Sequence, residues 1–368
     1  MLVSRNGLHL VRRGLKSLAL RYESRGDPHK KLKLVEEEVE EEPGSHGLLV
    51  EWLAAPINPA DLNMIQGTYP LKPPLPAVGG NEGVGRVLKA GSGSGKKEGD
   101  LVIPATAELG TWRQFSMLST DEVVKVAGDL GLAEAATALV NPPTAYRMLH
   151  DFQSLEPGDV VVQNGANSAV GKAVVQIARD KGCRTVNVIR DGGREDLDAV
   201  RMELKDLGAD FVLTEEELRG HFDSRSPRHP FKKVERAPKL ALNCVGGRFT
   251  VFMAAALADG GTIVTYGGMS RLPMQLPIGA FIFKDIQARG FWMSQWYRRA
   301  FSDNLSVKQR SITERDEMHA YLFELMRAGK LKAPAHDFVP LADFHAALSV
   351  ALKGSGRKQL LRLTSEPI

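Results

Sequence analysis

Apolar residues are distributed along the chain in two textures. From Leu18 to Asn141 they come in short bursts, such as Leu48–Ala55, Gly83–Lys89, Asp100–Pro104 and Glu122–Val126, cut apart by Pro and Gly. Bursts of that length with frequent turn residues predict many short strands, hence a barrel-like β domain. Near Asn141 the texture changes. Asp159 to Gln163 has the unbroken apolar run of a buried strand, and Gly165 to Gly171 is a loop of small residues. Val170, Ala173, Val174, Ile177 and Ala178 then keep helical period as far as Gly182, a residue suited to ending a helix. Thr185–Ile189 predicts a second strand. Leu197, Val200, Leu204 and Leu207 predict a second helix, closed by Gly208, and Phe211–Leu213, Leu240–Val245 and Thr262–Tyr266 predict further strands. Such alternation belongs to an α/β fold with a doubly wound parallel sheet. Beyond Trp296 the spacing predicts helices over Met318–Met326 and Leu341–Leu352, then a strand over Gln359–Leu363 that returns to the first domain. The expected division is a β-rich catalytic domain over 18–142 and 297–368, with a cofactor domain over 143–296.

Composition narrows the function classes. Of 368 residues, 43% are hydrophobic and 25% charged, ordinary for a globular chain with a sizeable core. A net charge of +4 without a basic stripe and interleaved aromatics does not point to nucleic acid. The two cysteines, Cys183 and Cys244, supply neither a disulfide framework nor a multi-cysteine metal site, and the nine histidines lack metal-ligand spacing. No metal is expected. Arg5, Arg12, Arg13, Lys16 and Arg21 precede the first acid, Glu23, and Leu8, Val11 and Leu15 recur at helical spacing. A basic, acid-free, amphipathic start suits a mitochondrial presequence over 1–17, the bland alternative being a basic tail. Six glutamates within Glu36–Glu42 read as a solvated edge or loop.

Candidate chemistry starts at the loop Asn164–Gly171. Small residues between a strand and a helix let the backbone approach a pyrophosphate, and the helix N-terminus offers free N–H groups and partial positive charge. The loop lacks a strict G-x-G-x-x-G, so its context carries the reading. After the second strand, an acid would bind the ribose diol of NAD, whereas a 2′-phosphate wants a cation. Here Arg190 comes first, followed by Asp191, Gly192 and, nearby, Arg194. That favours NADPH; a surface ion pair between Arg190 and Asp191 is the alternative. Gly91–Lys96 brushes the phosphate-loop pattern, but Ala90 and Lys97 stand where that pattern needs Gly and Ser or Thr, so a hairpin loop is expected.

Several motifs resemble the medium-chain dehydrogenase/reductase superfamily: Asn58–Asn63, Gly79–Gly85 and Leu207–Asp210. More particular segments are Met64–Tyr69, Gly110–Arg113, Asn141–Leu149, Thr265–Met269 and Phe291–Trp296, and these resemble the mitochondrial trans-2-enoyl thioester reductases from about Leu18 to Leu363. The resemblance implies a GroES-like catalytic domain beside a Rossmann domain, an enoyl thioester substrate on acyl carrier protein or coenzyme A, a homodimer through the cofactor domains and a place in the mitochondrial matrix. It also implies residue roles. Asn141 would sit at the nicotinamide end; Asn167, Ser168, Ala169 and Val170 would cradle the pyrophosphate; Arg190, Asp191 and Gly192 would meet the adenosine ribose and its phosphate. Tyr266, Gly267, Gly268, Met269, Phe291, Trp292, Met293 and Ser294 would line the nicotinamide side, and Lys358 would close the site. Two departures stand out: Ala169 replaces the loop's usual central glycine, and Gly192 replaces an arginine. Asn81 occupies the place of the histidine in zinc-dependent members.

Reducing an α,β-unsaturated thioester requires a hydride, a proton and donors for the charge growing on the thioester oxygen. On the resemblance Tyr69 is the expected proton donor, a role open to a tyrosine because it stays protonated at neutral pH; by its residues alone a packing tyrosine with a solvated hydroxyl is the alternative. Trp292, with one N–H, is the candidate oxyanion donor, and Trp296 and Phe291 are expected as acyl-pocket walls. Arg298 and Arg299 would meet a phosphopantetheine or an acidic carrier surface, unless they are merely solvated. The alternatives are a quinone or enone oxidoreductase with the same cofactor, and a non-catalytic NADPH-binding regulatory protein.

Overall fold

The computed structural model describes residues 14–126, 129–190, 196–221, 236–354 and 356–364. The chain opens with strand β1 (Leu15–Tyr22), helix α1 (Pro28–Lys31), β2 (Lys33–Val39) and β3 (Gly47–Pro56). Next come α2 (Pro59–Gln66), β4 (Ala77–Val78), β5 (Val84–Ala90), β6 (Leu101–Pro104), β7 (Phe115–Ser119), β8 (Val123–Lys125) and α3 (Leu132–Ala136). Strands β2, β1 and β4 form a three-stranded sheet in that order. Its edge strand β2 carries Glu36, Glu37 and Glu38 against β1 in antiparallel register, so the glutamate run is a solvated sheet edge. Charge on an edge strand discourages pairing with foreign strands. β1 begins at Leu15, three residues before the position expected from the pattern, and Ser17 is buried, its hydroxyl accepting from Phe115 N. A presequence ending at residue 17 would therefore cut into β1.

The second texture gives α4 (Asn141–Asp151), β9 (Val160–Asn164), α5 (Ala169–Asp180), β10 (Arg184–Ile189), α6 (Leu197–Asp206), β11 (Phe211–Thr214) and α7 (Glu215–His221). It continues through β12 (Leu240–Asn243), α8 (Thr250–Ala256), β13 (Thr262–Thr265), α9 (Ile278–Lys284) and β14 (Gln287–Gly290). These strands form a six-stranded, all-parallel sheet ordered β11-β10-β9-β12-β13-β14. The order reverses at β9, and ligands bind at such a switch point, beyond the carboxyl ends of the strands. β9 is buried along its whole length, as expected of a parallel strand covered on both faces. Val161 packs with the apolar face of α5 in one core, and Val160 and Val162 point into the core on the other side of the sheet. Arg190, at the end of β10, is exposed. Asp191, Gly192 and Arg194 lie outside the described residues, as do residues 1–13 of the basic start.

The chain ends with α10 (Met293–Arg298), α11 (Leu305–Arg327), β15 (His336–Pro340), α12 (Phe344–Lys353) and β16 (Lys358–Arg362). β16 pairs with β3, in a seven-stranded sheet ordered β15-β16-β3-β5-β6-β8 with β7 joined to β3. α11 starts well before Met318, because its first turns, Leu305–Arg310, are exposed and carry no apolar stripe for the pattern to reveal. Leu341–Asp343 is a 3-10 turn rather than the start of the following helix.

Candidate active site

Tyr69 is placed by the end of α2. Pro59 starts that helix, and the Asp61 carboxylate accepts from Asn58 N at 2.7 Å, closing the first turn. Gly67 stops it with φ +80, a left-handed conformation that a side chain would strain. The amides of Thr68 and Tyr69 then both donate to Asn63 O, at 3.0 and 3.2 Å. That fold-back directs the tyrosine across to Trp292, the residue capping α10, whose indole N–H donates to the Tyr69 hydroxyl at 2.8 Å. The rings meet edge to face, with centroids 5.9 Å apart. Ser294 is a second hydrogen-bond partner of the hydroxyl. Burial pushes the Tyr69 phenol above its ordinary value, while the contacts from Trp292 and Ser294 pull it back by favouring the phenolate. The result is a protonated tyrosine whose oxygen already accepts and whose proton is available to donate. The Trp292 side chain has one N–H, and here it is directed at Tyr69.

The second part of the site is the β9–α5 loop. Ser168 caps α5, its hydroxyl accepting from Gly171 N at 3.1 Å, so Asn167, Ser168, Ala169 and Val170 surround the helix N-terminus. The turn is tight: a Cβ on Gly171 would come within 2.5 Å of Ala166 O. Ala169, by contrast, is half-exposed at the first helical position, where its methyl group is accommodated. Asn141 is the first residue of α4; it is buried, and its side-chain Nδ2 finds no acceptor among the described residues. A buried amide donor without a partner costs about 1–3 kcal/mol and is the mark of a site completed by a ligand. The helix N-terminus suits a pyrophosphate and the stranded amide of Asn141 suits a carboxamide oxygen, so these residues fit a dinucleotide.

The remaining expected residues separate. Tyr266, just beyond β13, is half-buried, with its hydroxyl enclosed beside Cys244 and Ser168; burial first, then Cys244, raises it well above its usual range. Gly267 packs on Cys244, Gly268 lines a cleft, and Met269 is 70% exposed. Phe291 follows β14 and packs edge to face on Phe152, while Met293 is buried in the core beside α4 and α11. Trp296 is not a pocket wall: it is 5% exposed, sealed in the core under the Arg147 guanidinium at 4.5 Å. Arg298 is paired with Glu108 at 2.7 Å rather than presented free to a carrier. A cleft of about 760 Å³ runs between the Tyr69 loop and the cofactor side, lined by Asn63, Gln66, Thr68, Gly268 and Arg271 among others.

Lys358 opens β16 and turns inward, its ammonium donating to Asn58 Oδ1 at 2.5 Å, close to the carboxylates of Glu82 and Asp61. Burial lowers Lys358, opposed by those two acids. Asp61 is pushed up to about 7 by burial, against the hydrogen bonds from Asn58 and Asn81. Glu82 is raised for the same first reason. Of this buried polar cluster only Lys358 was singled out from sequence as a site residue. The other members occur in the motifs Asn58–Asn63 and Gly79–Gly85, and a cluster of Asn, Asp and Glu among apolar neighbours was the only available signal.

Comparison with known proteins places these features. Residues 44–140 match the alcohol dehydrogenase GroES-like domain, and residues 169–307 match the zinc-binding dehydrogenase family. The rat (Rattus norvegicus) protein named mitochondrial enoyl-[acyl-carrier-protein] reductase is 50% identical, over 91% of this chain and 85% of its own. A solved heterodimer of mitochondrial 2-enoyl thioester reductases from Candida tropicalis, Etr1p/Etr2p, superposes with TM-score 0.80 at 32% identity, covering 95% of this chain and 100% of that one. Etr1p in complex with NADP and crotonyl-CoA gives the same values. The name of the second family model raises zinc, and the donor set here does not fit it. Asn81, in the position of the zinc-binding histidine, has its amide committed at both ends: Nδ2 donates to Asp61 at 2.5 Å and Oδ1 accepts from Glu108 N at 2.7 Å. Among the described residues no group of three or more His, Cys, Asp or Glu could hold a metal.

Proposed function

The chain belongs to the mitochondrial enoyl-[acyl-carrier-protein] reductase family, and from that we infer that Tyr69, Trp292, Ser294 and Asn141 form its reaction centre. It is an NADPH-dependent oxidoreductase of fatty acid synthesis that reduces enoyl thioesters, and it is mitochondrial. Bound at the β9–α5 loop, NADPH supplies the hydride. Asn167, Ser168, Ala169 and Val170 would hold its pyrophosphate, Arg190 its 2′-phosphate, and Asn141 its carboxamide. Tyr69 donates the proton that completes reduction at the α-carbon and steadies the growing negative charge before it does so. Trp292 and Ser294 act through Tyr69: each hydrogen bond to its oxygen makes the phenol a better acid.

The observation that carries this reading is the 2.8 Å bond between Trp292 and Tyr69, which joins the cofactor side to the catalytic loop across 223 residues of sequence. Steady-state assays with crotonyl thioesters and with a free quinone, each with NADPH and NADH, test it. Turnover of the thioester with NADPH is expected; faster turnover of the quinone would give preference to the quinone reductase alternative.

Three finer points belong to the same proposal. The cleft between Thr68 and Gly268, with Arg271 at its wall, receives the phosphopantetheine arm common to acyl carrier protein and coenzyme A. The protein works in the matrix, with a presequence that ends before β1 at Leu15. A second copy covers the free edge of the parallel sheet: all four residues of β14 are exposed, and beside it Met269, Ile278 and Phe283 are 70%, 76% and 82% exposed. An open strand edge flanked by apolar surface is a pairing site for another chain.

A further inference from the structure

Glu82 touches neither Tyr69 nor the β9–α5 loop, yet it is wholly buried and both its carboxylate oxygens accept from parts of the site. One carboxylate oxygen, Oε1, accepts from the backbone amides of Leu139 and Val140, at 2.9 and 2.7 Å. Those two amides lie immediately before Asn141 and α4, so the carboxylate fixes where α4 begins. The other oxygen accepts from Asn58 Nδ2 at 2.8 Å. Asn58 caps α2, the helix that leads into the Tyr69 loop, and its Oδ1 receives the Lys358 ammonium at 2.5 Å. Asp61 of the same helix accepts from Asn58 N and from Asn81. A single side chain thus ties together the helix that leads into the proton donor's loop, the helix bearing Asn141 and, through Asn58, the strand bearing Lys358.

We propose that Glu82 is a positioning residue for the reduction: it sets the distance between the Asn141 amide and the Tyr69 helix. This rests on the reading of Asn141 as a cofactor-binding residue. The chemistry favours a carboxylate over any neutral side chain at this position. Two backbone N–H groups and one amide N–H donate to its two oxygens while the nearby Lys358 ammonium adds positive charge, and only a carboxylate accepts at both ends without presenting a donor. Asn58 cannot turn over to adapt, because its oxygen is held by Lys358. In Glu82→Gln the new NH₂ must therefore face either the α4 amides or Asn58 Nδ2, donor against donor, and the junction must open.

The test is a double-mutant cycle on NADPH binding, read by cofactor fluorescence titration, with melting temperatures recorded for each variant. Asn141→Ala removes one hydrogen bond to the cofactor and should weaken NADPH binding about 5- to 30-fold. Glu82→Gln should weaken it by about tenfold or more. The double variant should be no worse than the poorer single one within about twofold, because residues acting through one another are not additive. Glu82→Asp keeps the charge but is too short to reach both α4 and Asn58; it serves as the second probe should Glu82→Gln fold poorly, and the same non-additivity with Asn141→Ala is expected. Losses that multiply would overturn the proposal, since a merely structural glutamate lowers stability without sharing a path with Asn141. NADPH binding unchanged in Glu82→Gln, beside a clear loss in Asn141→Ala, would overturn it while leaving Asn141 in place. No loss in Asn141→Ala would remove the premise and the proposal together.

Discussion

Replacing Tyr69 with Phe removes one oxygen and leaves the ring where it is. Two separate consequences follow from the geometry. The Trp292 indole N–H, now 2.8 Å from its acceptor, would be left unpaired in a part-buried position. That costs about 1–3 kcal/mol, so the melting temperature should fall by a few degrees. The loss in catalysis should be larger. The hydroxyl is the most acidic of the donors gathered here, Ser294 and Trp292 being spent on it, and a positioned general acid contributes about 10²–10⁴-fold. This corresponds to roughly 3–5 kcal/mol of transition-state stabilisation. Because that interaction exists mainly in the transition state, kcat should fall while KM and NADPH affinity change little. The companion variant Trp292→Phe separates acid from helper. It keeps the tyrosine proton but removes one of the two contacts that hold the phenol down. The expected loss is the value of one hydrogen bond, about 5- to 30-fold in kcat, with the basic limb of the pH profile displaced upward. Crotonyl thioester kinetics and thermal melts on both variants make the check. Near-normal kcat in Tyr69→Phe, accompanied only by a lower melting temperature, would refute the reasoning: Tyr69 would then be a packing residue, and water or another side chain would supply the proton.

Four further outcomes are expected. Arg190→Ala should reduce the preference for NADPH over NADH by about 10- to 150-fold, the value of one charge-assisted phosphate contact, and an unchanged ratio would clear Arg190 of that role. Phe283→Asp places a charge on the exposed apolar surface beside β14 and should yield monomers in light-scattering chromatography, unless the dimer forms elsewhere. His319 is buried between Tyr297 and Phe323, and burial lowers it from 6.5 to about 3. Its folded value lies below its unfolded one, so the stability it contributes is complete above about pH 6.5 and is lost as pH falls from there toward 3, by up to about 1.4 kcal/mol per pH unit; in His319→Gln the drop in urea-unfolding free energy between pH 7 and pH 5 should be smaller by about 2 kcal/mol, that slope integrated below pH 6.5. Finally, elemental analysis should find no stoichiometric zinc and chelators should leave turnover intact, because the Asn81 amide is committed to Asp61 and Glu108.

What could be read from the amino-acid order alone was whatever is encoded within about 20 residues. The triple-valine strand, the small-residue loop and the periodic face of α5 announce a nucleotide-binding turn, because strand and helix each leave their own hydrophobic period. Arg190 was legible for the same reason: it follows directly on the strand that delivers it. Where local pattern is weak, boundaries moved, as at α11, whose exposed first turns carry no apolar stripe, and at β1, whose start is set by pairing with Glu36–Val39 rather than by its own residues. The tertiary structure alone decided the pairings. Trp292 and Tyr69 lie in different sheets' loops, and nothing in either segment says that the indole donor will be spent on the phenol rather than on the substrate. Trp296, four residues on, looked equally suited to a pocket, but it shares with Met293 and Tyr297 the face of α10 that packs into the core, whereas Trp292 caps the helix with extended backbone and so escapes that periodicity. Glu82 shows the difference most clearly: its partners at Asn58, Leu139 and Val140 are 24, 57 and 58 residues away, and a buried carboxylate acquires meaning only when the fold brings its donors to it.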